Sequence, residues 1–162
     1  MLLGPAPSPC VQGLGKAIKI IRFRFFDELK NAIKNELKKK KFDLAIHCAA
    51  VSDFKPVSSY KGKIKSGIKS LNLKLIRTEK LVKIFKKIQP KIKLVIFKLE
   101  LGVSKSILLK RALAAKKEYN ADIAVANTFI GSRYKAFILD KEGKIFCANN
   151  KALMAKKLVD LI

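Results

Sequence analysis

The sequence predicts an α/β domain in which a mostly parallel sheet lies between layers of helices and gains an antiparallel addition near the carboxyl terminus. Three observations predict it. Short apolar runs alternate with segments whose apolar residues recur at helical spacing, the pattern of successive βαβ units. The run Asp43 to Cys48 reads as a buried strand and leads straight into small residues, a carboxylate and a basic, glycine-bearing loop. Open α/β sheets bind ligands at that end of a strand. Finally, 162 residues at 49% hydrophobic content suffice to bury one sizeable core, so residues 1–162 are expected to form a single domain.

Each element has its own signal. Ile18 to Phe23 is a strand candidate, and Phe26 to Leu37 carries Phe26, Leu29, Ala32, Ile33 and Leu37 at helical spacing. Lys38 to Lys41 then fall at that helix's carboxyl end, where cations oppose the helix dipole. Asp43 to Cys48 is the central strand and Val51 to Ser70 a loop. Leu71, Leu73 and Leu75 alternate with Asn72 and Lys74, which predicts a strand over Leu71 to Ile76 with one wet face. Leu81 to Ile88 is a short amphipathic helix stopped by Pro90. Ile92 to Phe97 is a strand, and Ser104 to Tyr119 a helix with Ser104 as its N-cap. Asp122 to Ala126 is another buried strand. Tyr134 to Leu139 and Lys144 to Cys147 form a hairpin across Lys141-Glu142-Gly143, and Lys151 to Leu161 is the last helix. Together they describe a Rossmann-like, three-layer arrangement.

Composition excludes several function classes. No apolar run approaches the ~20 residues that span a bilayer. The start, Met1 to Leu14, lacks the basic n-region and longer apolar core of a secretion signal. Cys10, Cys48 and Cys147 are scattered and have no CxxC spacing, so a reduced cytoplasmic protein without a structural zinc site is expected. The net charge of +24 raises nucleic-acid binding as an alternative. Of the 36 basic residues, however, 31 are lysine and five arginine, and they are spread along every helix. Arginine is the residue of bidentate phosphate recognition, so this balance favours a solvated, lysine-rich surface.

The stretch from Asp43 to Gly67 carries the chemistry. Ala49 and Ala50 let a ligand approach the backbone at the strand end, and Asp53 follows as a free carboxylate or a turn cap. Lys61-Gly62-Lys63-Ile64-Lys65-Ser66-Gly67 joins mobile glycines to compact cations suited to phosphate. His47, the only histidine, sits inside the apolar run and is expected to be a satisfied core imidazole rather than a base.

Five segments in register, and the turn from Arg77 to Val82 beside them, resemble phosphopantothenoylcysteine synthetase. They are Gly4-Pro5; Ala49-Ala50-Val51-Ser52-Asp53-Phe54-Lys55-Pro56 with Lys63-Ile64-Lys65-Ser66; Arg77 to Val82; Val95-Ile96-Phe97-Lys98-Leu99-Glu100; and Tyr119 to Asn127. The resemblance implies a ligase of coenzyme A biosynthesis that joins 4'-phosphopantothenate to cysteine through an acyl-nucleotide, with CTP (or ATP) and Mg2+. It implies a nucleotide site at Ala49, Ala50, Asp53, Lys63, Lys65, Glu79, Lys80, Leu81, Val82 and Phe97. Lys63 would be the catalytic flap lysine and Asn127 a substrate contact, with no resident metal ligand. A homodimer and a flavin decarboxylase partner domain also follow from it.

The chain departs from the family pattern in places. Glu79 replaces a proline, Thr128 replaces an acid after Asn127, and Ala115 and Tyr119 stand where a helix usually offers lysines. Nothing matches the T-x-G-x-T-x-E-x-I-D turn and S-N-x-S-S-G-K-M-G segment of the family's front end. The resemblance therefore implies a domain truncated at its amino-terminal side and incomplete alone. A separate N-terminal half or a non-catalytic remnant are the further expectations.

Overall fold

The computed structural model describes residues 2–4, 18–58, 62–64 and 66–162. Its elements are β1 (Leu2–Gly4), β2 (Ile20–Arg22), α1 (Phe26–Lys39), β3 (Leu44–His47), β4 (Phe54–Pro56), β5 (Leu75–Arg77) and α2 (Val82–Ile88). They continue with β6 (Lys93–Leu99), α3 (Lys105–Glu118), β7 (Ile123–Ile130), β8 (Arg133–Leu139), β9 (Ile145–Ala148) and α4 (Lys151–Val159). The main sheet runs β3-β6-β7-β8-β9. Its first three strands are parallel, and β7, β8 and β9 pair antiparallel. A parallel half with an antiparallel addition toward the carboxyl terminus is what the alternation of strands and helices predicts.

Strand alternation assigns the two sheet faces. Leu94 and Ile96 of β6, Ala124 and Ala126 of β7, and Phe137 and Leu139 of β8 pack with Leu108 and Ala112 of α3 and Val82 of α2. The residues between them, Val95, Val125 and Ile138, pack on the other face with Leu158 of α4. Helices on both faces make the three layers. Helix α1 joins on the first side, with Leu29, Ile33 and Leu37 against Leu81 and Ile84. Leu94 and Val95 are fully buried. Burying a side chain of this size contributes about 1.5–3 kcal/mol.

Helix ends are fixed as their sequences suggest. Ser104 accepts from Ile107 N at 3.3 Å as the N-cap of α3, and Asn150 does the same for α4, from Leu153 N at 2.7 Å. Lysines fill the last turn of α1. Glu28 reaches back to the Arg24 amide at 2.7 Å, satisfying a donor that the helix start leaves free.

Four expectations need correction. β3 is not central: among the described residues it pairs only with β6 and forms the sheet edge, leaving Ile46 47% exposed. The loop from Val51 to Ser70 contains β4, which pairs with β5 in a separate two-stranded ribbon. Of the segment Leu71 to Ile76 expected as a strand, only Leu75 and Ile76 fall in β5, and no face is dry, since Leu71, Leu73 and Leu75 are all exposed. A two-stranded ribbon has no second layer to cover its apolar face. Strand β7 is also longer than the expected Asp122 to Ala126, continuing to Ile130 and forming with β8 a hairpin that was not expected. Gly131 takes φ +60° at its tip, a conformation costly for side-chain-bearing residues.

Asp122 ties β6 to β7 before their ladder begins. Its Oδ2 accepts from the Leu94 amide at 2.7 Å and from Lys86 Nζ at 2.8 Å. Burial pushes this carboxyl up, but Lys86 and the Leu94 amide outweigh it and hold it below the ordinary value. The unfolded chain then binds more protons, so the contribution is complete above the unfolded pKa of about 3.9 and disappears as pH falls through the folded value. Asp122→Asn is expected to cost about 1–2 kcal/mol at pH 7, solvent screening limiting the effect. Urea unfolding at pH 7 and pH 3 checks it, and a difference that persisted undiminished at pH 3 would refute the assignment.

Candidate functional site

A cavity of about 180 Å³ opens at the carboxyl ends of β3 and β6, between the sheet and helices α2 and α3. The segment after β3 supplies Ala49, Val51, Ser52 and Asp53. The turn into α2 supplies Thr78, Glu79, Lys80, Leu81 and Val82, and the end of β6 supplies Ile96, Phe97 and Lys98. Parallel strands leave their last residues at a common rim, so segments far apart in sequence converge there.

Seven of the residues singled out from sequence meet in this cavity: Ala49, Asp53, Glu79, Lys80, Leu81, Val82 and Phe97. Ala50 is exposed beside the rim and does not line it. Lys63 is exposed in the segment joining β4 to β5 and does not line the cavity. Lys65 lies outside the described residues. Asn127 ends the β6–β7 register, on the face that carries Val125 and α4, and its Oδ1 is buried with no hydrogen-bond partner among the described residues.

The rim is held by the chain before α2. Thr78 Oγ1 donates to the Ser52 carbonyl at 2.6 Å, and the Thr78 amide donates to the Asp53 carbonyl at 2.9 Å. These bonds fix the turn where Glu79 stands in place of the family's proline. Glu79 itself pairs with Lys30 of α1 at 2.7 Å, and Lys30 holds its carboxyl below the ordinary value.

The remaining charges are paired as well. Lys80 Nζ donates to Asp53 Oδ1 at 2.5 Å, lowering the carboxyl pKa and raising that of the ammonium. Lys98 pairs with Glu100 at 3.0 Å, and Arg111 reaches the other oxygen of the same carboxylate at 2.6 Å. The Lys98 ammonium leads in holding Glu100 below its ordinary value.

Sequence reasoning assigned no site role to several lining residues. Lys98 and Tyr119 stood inside recognised segments without a role, and His47 was expected to be satisfied in the core. The His47 ring does pack on Phe85, centroids 5.7 Å apart, and burial holds its pKa below the ordinary value. Among the described residues, however, it makes no hydrogen bond, and it faces the cavity. Its place at the last position of β3, one residue before Cys48, was the available signal.

No cluster of three His, Cys, Asp or Glu side chains occurs among the described residues. Asp53 is the carboxylate best placed to meet a divalent cation. Magnesium is commonly held by one or two carboxylates together with substrate phosphates, so this set fits a cation that arrives with its nucleotide.

The chain is similar to several known proteins. Residues 8–162 match the family described as DNA/pantothenate metabolism flavoprotein C-terminal domain. The chain is 41% identical over 102 residues to the Coenzyme A biosynthesis bifunctional protein CoaBC of Thermococcus kodakarensis, covering 63% of this chain and 25% of that relative. It therefore spans about a quarter of that relative's length. The crystal structure of the DNA/pantothenate metabolism flavoprotein from Streptococcus pneumoniae superimposes with a TM-score of 0.78 at 23% identity, over 98% of this chain and 77% of the other. The C-terminal domain of a coenzyme A biosynthesis bifunctional protein CoaBC gives 0.70 at 20% identity, over 98% and 69%. A Cab2 variant in complex with phosphopantothenate-cysteine gives 0.65 at 17% identity, over 93% and 54%. At these identities the structural matches establish the fold.

Proposed function

The chain belongs to the DNA/pantothenate metabolism flavoprotein C-terminal domain family, and on that premise we propose that it is the nucleotide-binding core of a phosphopantothenate–cysteine ligase. The observation that carries this reading is the convergence of Ala49 and Asp53, Lys80 to Val82, and Phe97 on one cavity at the strand ends. Ala49 leaves room for the nucleotide beside the backbone, Phe97 walls it, and Asp53 and Lys80 meet its polar parts.

The reaction needs positioning more than acid–base chemistry. A carboxylate oxygen of 4'-phosphopantothenate attacks the α-phosphorus of CTP (or ATP), and the bond to the β-phosphate breaks, releasing pyrophosphate. The cysteine amine then attacks the acyl carbon of the mixed anhydride. The acyl C–O bond breaks, nucleoside monophosphate leaves and the amine proton passes to solvent. Magnesium, carried on the triphosphate, supplies charge neutralisation there. The chain's own part is to hold the nucleoside in the cavity and bring lysines to the phosphates, with Lys63 reaching over from the flap. Asn127, whose buried oxygen lacks a donor, offers an acceptor to the acyl substrate or to cysteine.

We further propose a homodimer joined through the exposed Leu71, Leu73 and Leu75, since apolar faces of this kind mark interaction sites. A molar mass of one chain by light scattering would contradict it. A larger protein including a flavin decarboxylase domain is the context in which the ligase would act.

The test of nucleotide binding is a thermal-shift titration with CTP and magnesium. Lys63→Ala is expected to weaken triphosphate binding by about 1–3 kcal/mol, as loss of a charge-assisted hydrogen bond does, and to leave the fold intact because the residue is exposed. Equal shifts in variant and wild type would remove Lys63 from the site. The absence of any shift with CTP in the wild type would overturn the nucleotide reading itself.

A further inference from the structure

Every charged side chain lining the cavity already has a partner, which poses a problem for a site that must bind several phosphate charges. Asp53 holds Lys80, Glu79 holds Lys30, and Glu100 holds Lys98. A lysine that swings from its carboxylate to a phosphate leaves that carboxylate behind, and the pairs differ in what then remains beside it. If Lys80 leaves, the Asp53 carboxylate loses the only salt-bridge partner recorded for it among the described residues. If Lys98 leaves, Glu100 keeps the Arg111 guanidinium at 2.6 Å on its other oxygen. Glu100 is the less exposed member of this group, its side chain 18% accessible, so leaving it uncompensated would be costly. Lys98 is 40% accessible and lines the cavity, whereas Arg111, on α3, does not.

We propose that Lys98 is the phosphate-binding cation of this cavity, and that Arg111 makes it available by neutralising Glu100 in its place. Arg111 is thus a positioning residue that acts on the ligand without touching it. The proposal rests on the nucleotide reading and assigns two residues that the sequence motifs left without a role. An arginine suits the task because its fork holds a carboxylate while remaining charged at any working pH. A lysine suits the other, since a compact ammonium on a flexible stem can swing from Glu100 to a phosphate oxygen.

The experiment compares the affinities of cytidine and CTP, with magnesium, for the chain and four variants by calorimetric titration. The readout is the ratio of CTP affinity to cytidine affinity, which isolates the phosphate contribution. Lys98→Met is expected to lower that ratio about tenfold, the loss of one charge-assisted contact. Arg111→Met is expected to lower it several-fold, because Lys98 is then retained by Glu100. Glu100→Gln should leave the ratio unchanged or raised, and Arg111→Met combined with Glu100→Gln should return it to the wild-type value. Rescue by removing an acid is an outcome that a merely structural role for Arg111 does not produce. If Arg111→Met leaves the ratio unchanged, or Glu100→Gln does not rescue it, the proposal is wrong while the nucleotide site stands. If wild type binds neither cytidine nor CTP, the nucleotide reading fails and the proposal with it.

Discussion

Ala49→Leu is expected to weaken CTP binding by about a hundredfold or more, equivalent to about 3 kcal/mol, with the melting temperature unchanged. Ala49 lies just beyond β3, at the rim of a cavity of only about 180 Å³. The residue is exposed, so a larger side chain meets no packed neighbour and costs the fold little. The added atoms would occupy the space that lets a ligand lie against the strand end. In a preformed pocket, a steric block of this kind cannot be relieved without moving the scaffold. Calorimetric titration with CTP and magnesium measures the effect, and thermal unfolding controls for the fold. CTP affinity within threefold of wild type would place the nucleotide elsewhere.

The second large effect concerns the open edge of β3. Parallel strands are normally buried on both faces and flanked on both sides. Here β3 pairs only with β6 among the described residues, Ile46 is 47% exposed, and α4 covers β8 and β9 rather than β3. Along the edge runs an apolar groove of about 210 Å³, between β3 and the side chains of Phe23, Leu29, Ile33 and Phe42. An uncovered edge of this kind invites pairing with other chains. Residues 1–162 expressed alone are therefore expected to self-associate and to show ligase turnover about a hundredfold or more below that of the same chain with this edge covered, a barrier difference of about 3 kcal/mol. A strand that pairs parallel to β3, followed by a helix over Leu44 and Ile46, should reverse both. Such a segment can be added in cis or as a second chain. Light scattering and turnover before and after its addition measure the two effects. A monodisperse and fully active chain of residues 1–162 would sink this account of the edge.

Much of the site was legible because strand ends are marked locally. The apolar run that ends at Ala49 and Ala50, followed by Asp53, identifies a rim by composition alone. The segments around Lys80 and Phe97 then add its other walls. The partner of each strand was not legible. Apolar periodicity reports that β3 is buried on part of its surface, but not which strand lies beside it, and so the expected central strand is an edge. The alternation of Leu71, Leu73 and Leu75 predicted a strand with one dry face, but only Leu75 and Ile76 of that segment pair in a ribbon and all three leucines are exposed. The pairing of Lys98, Glu100 and Arg111 joins a strand end to a helix eleven residues further on. It depends on how α3 crosses the sheet, which no local spacing discloses. The tie of Thr78 to the Ser52 and Asp53 carbonyls, which replaces a proline's rigidity with two hydrogen bonds, was hidden for the same reason.

The central claim is that this cavity serves nucleotidyl activation of a carboxylate, and product analysis tests it most directly. The chain complemented along β3 is incubated with CTP, magnesium and 4'-phosphopantothenate, first without cysteine and then with it. The predicted result is release of pyrophosphate that depends on 4'-phosphopantothenate, with CMP and the cysteine amide appearing only after cysteine is added. Release of inorganic phosphate and CDP in place of pyrophosphate, or pyrophosphate release indifferent to 4'-phosphopantothenate, would contradict it.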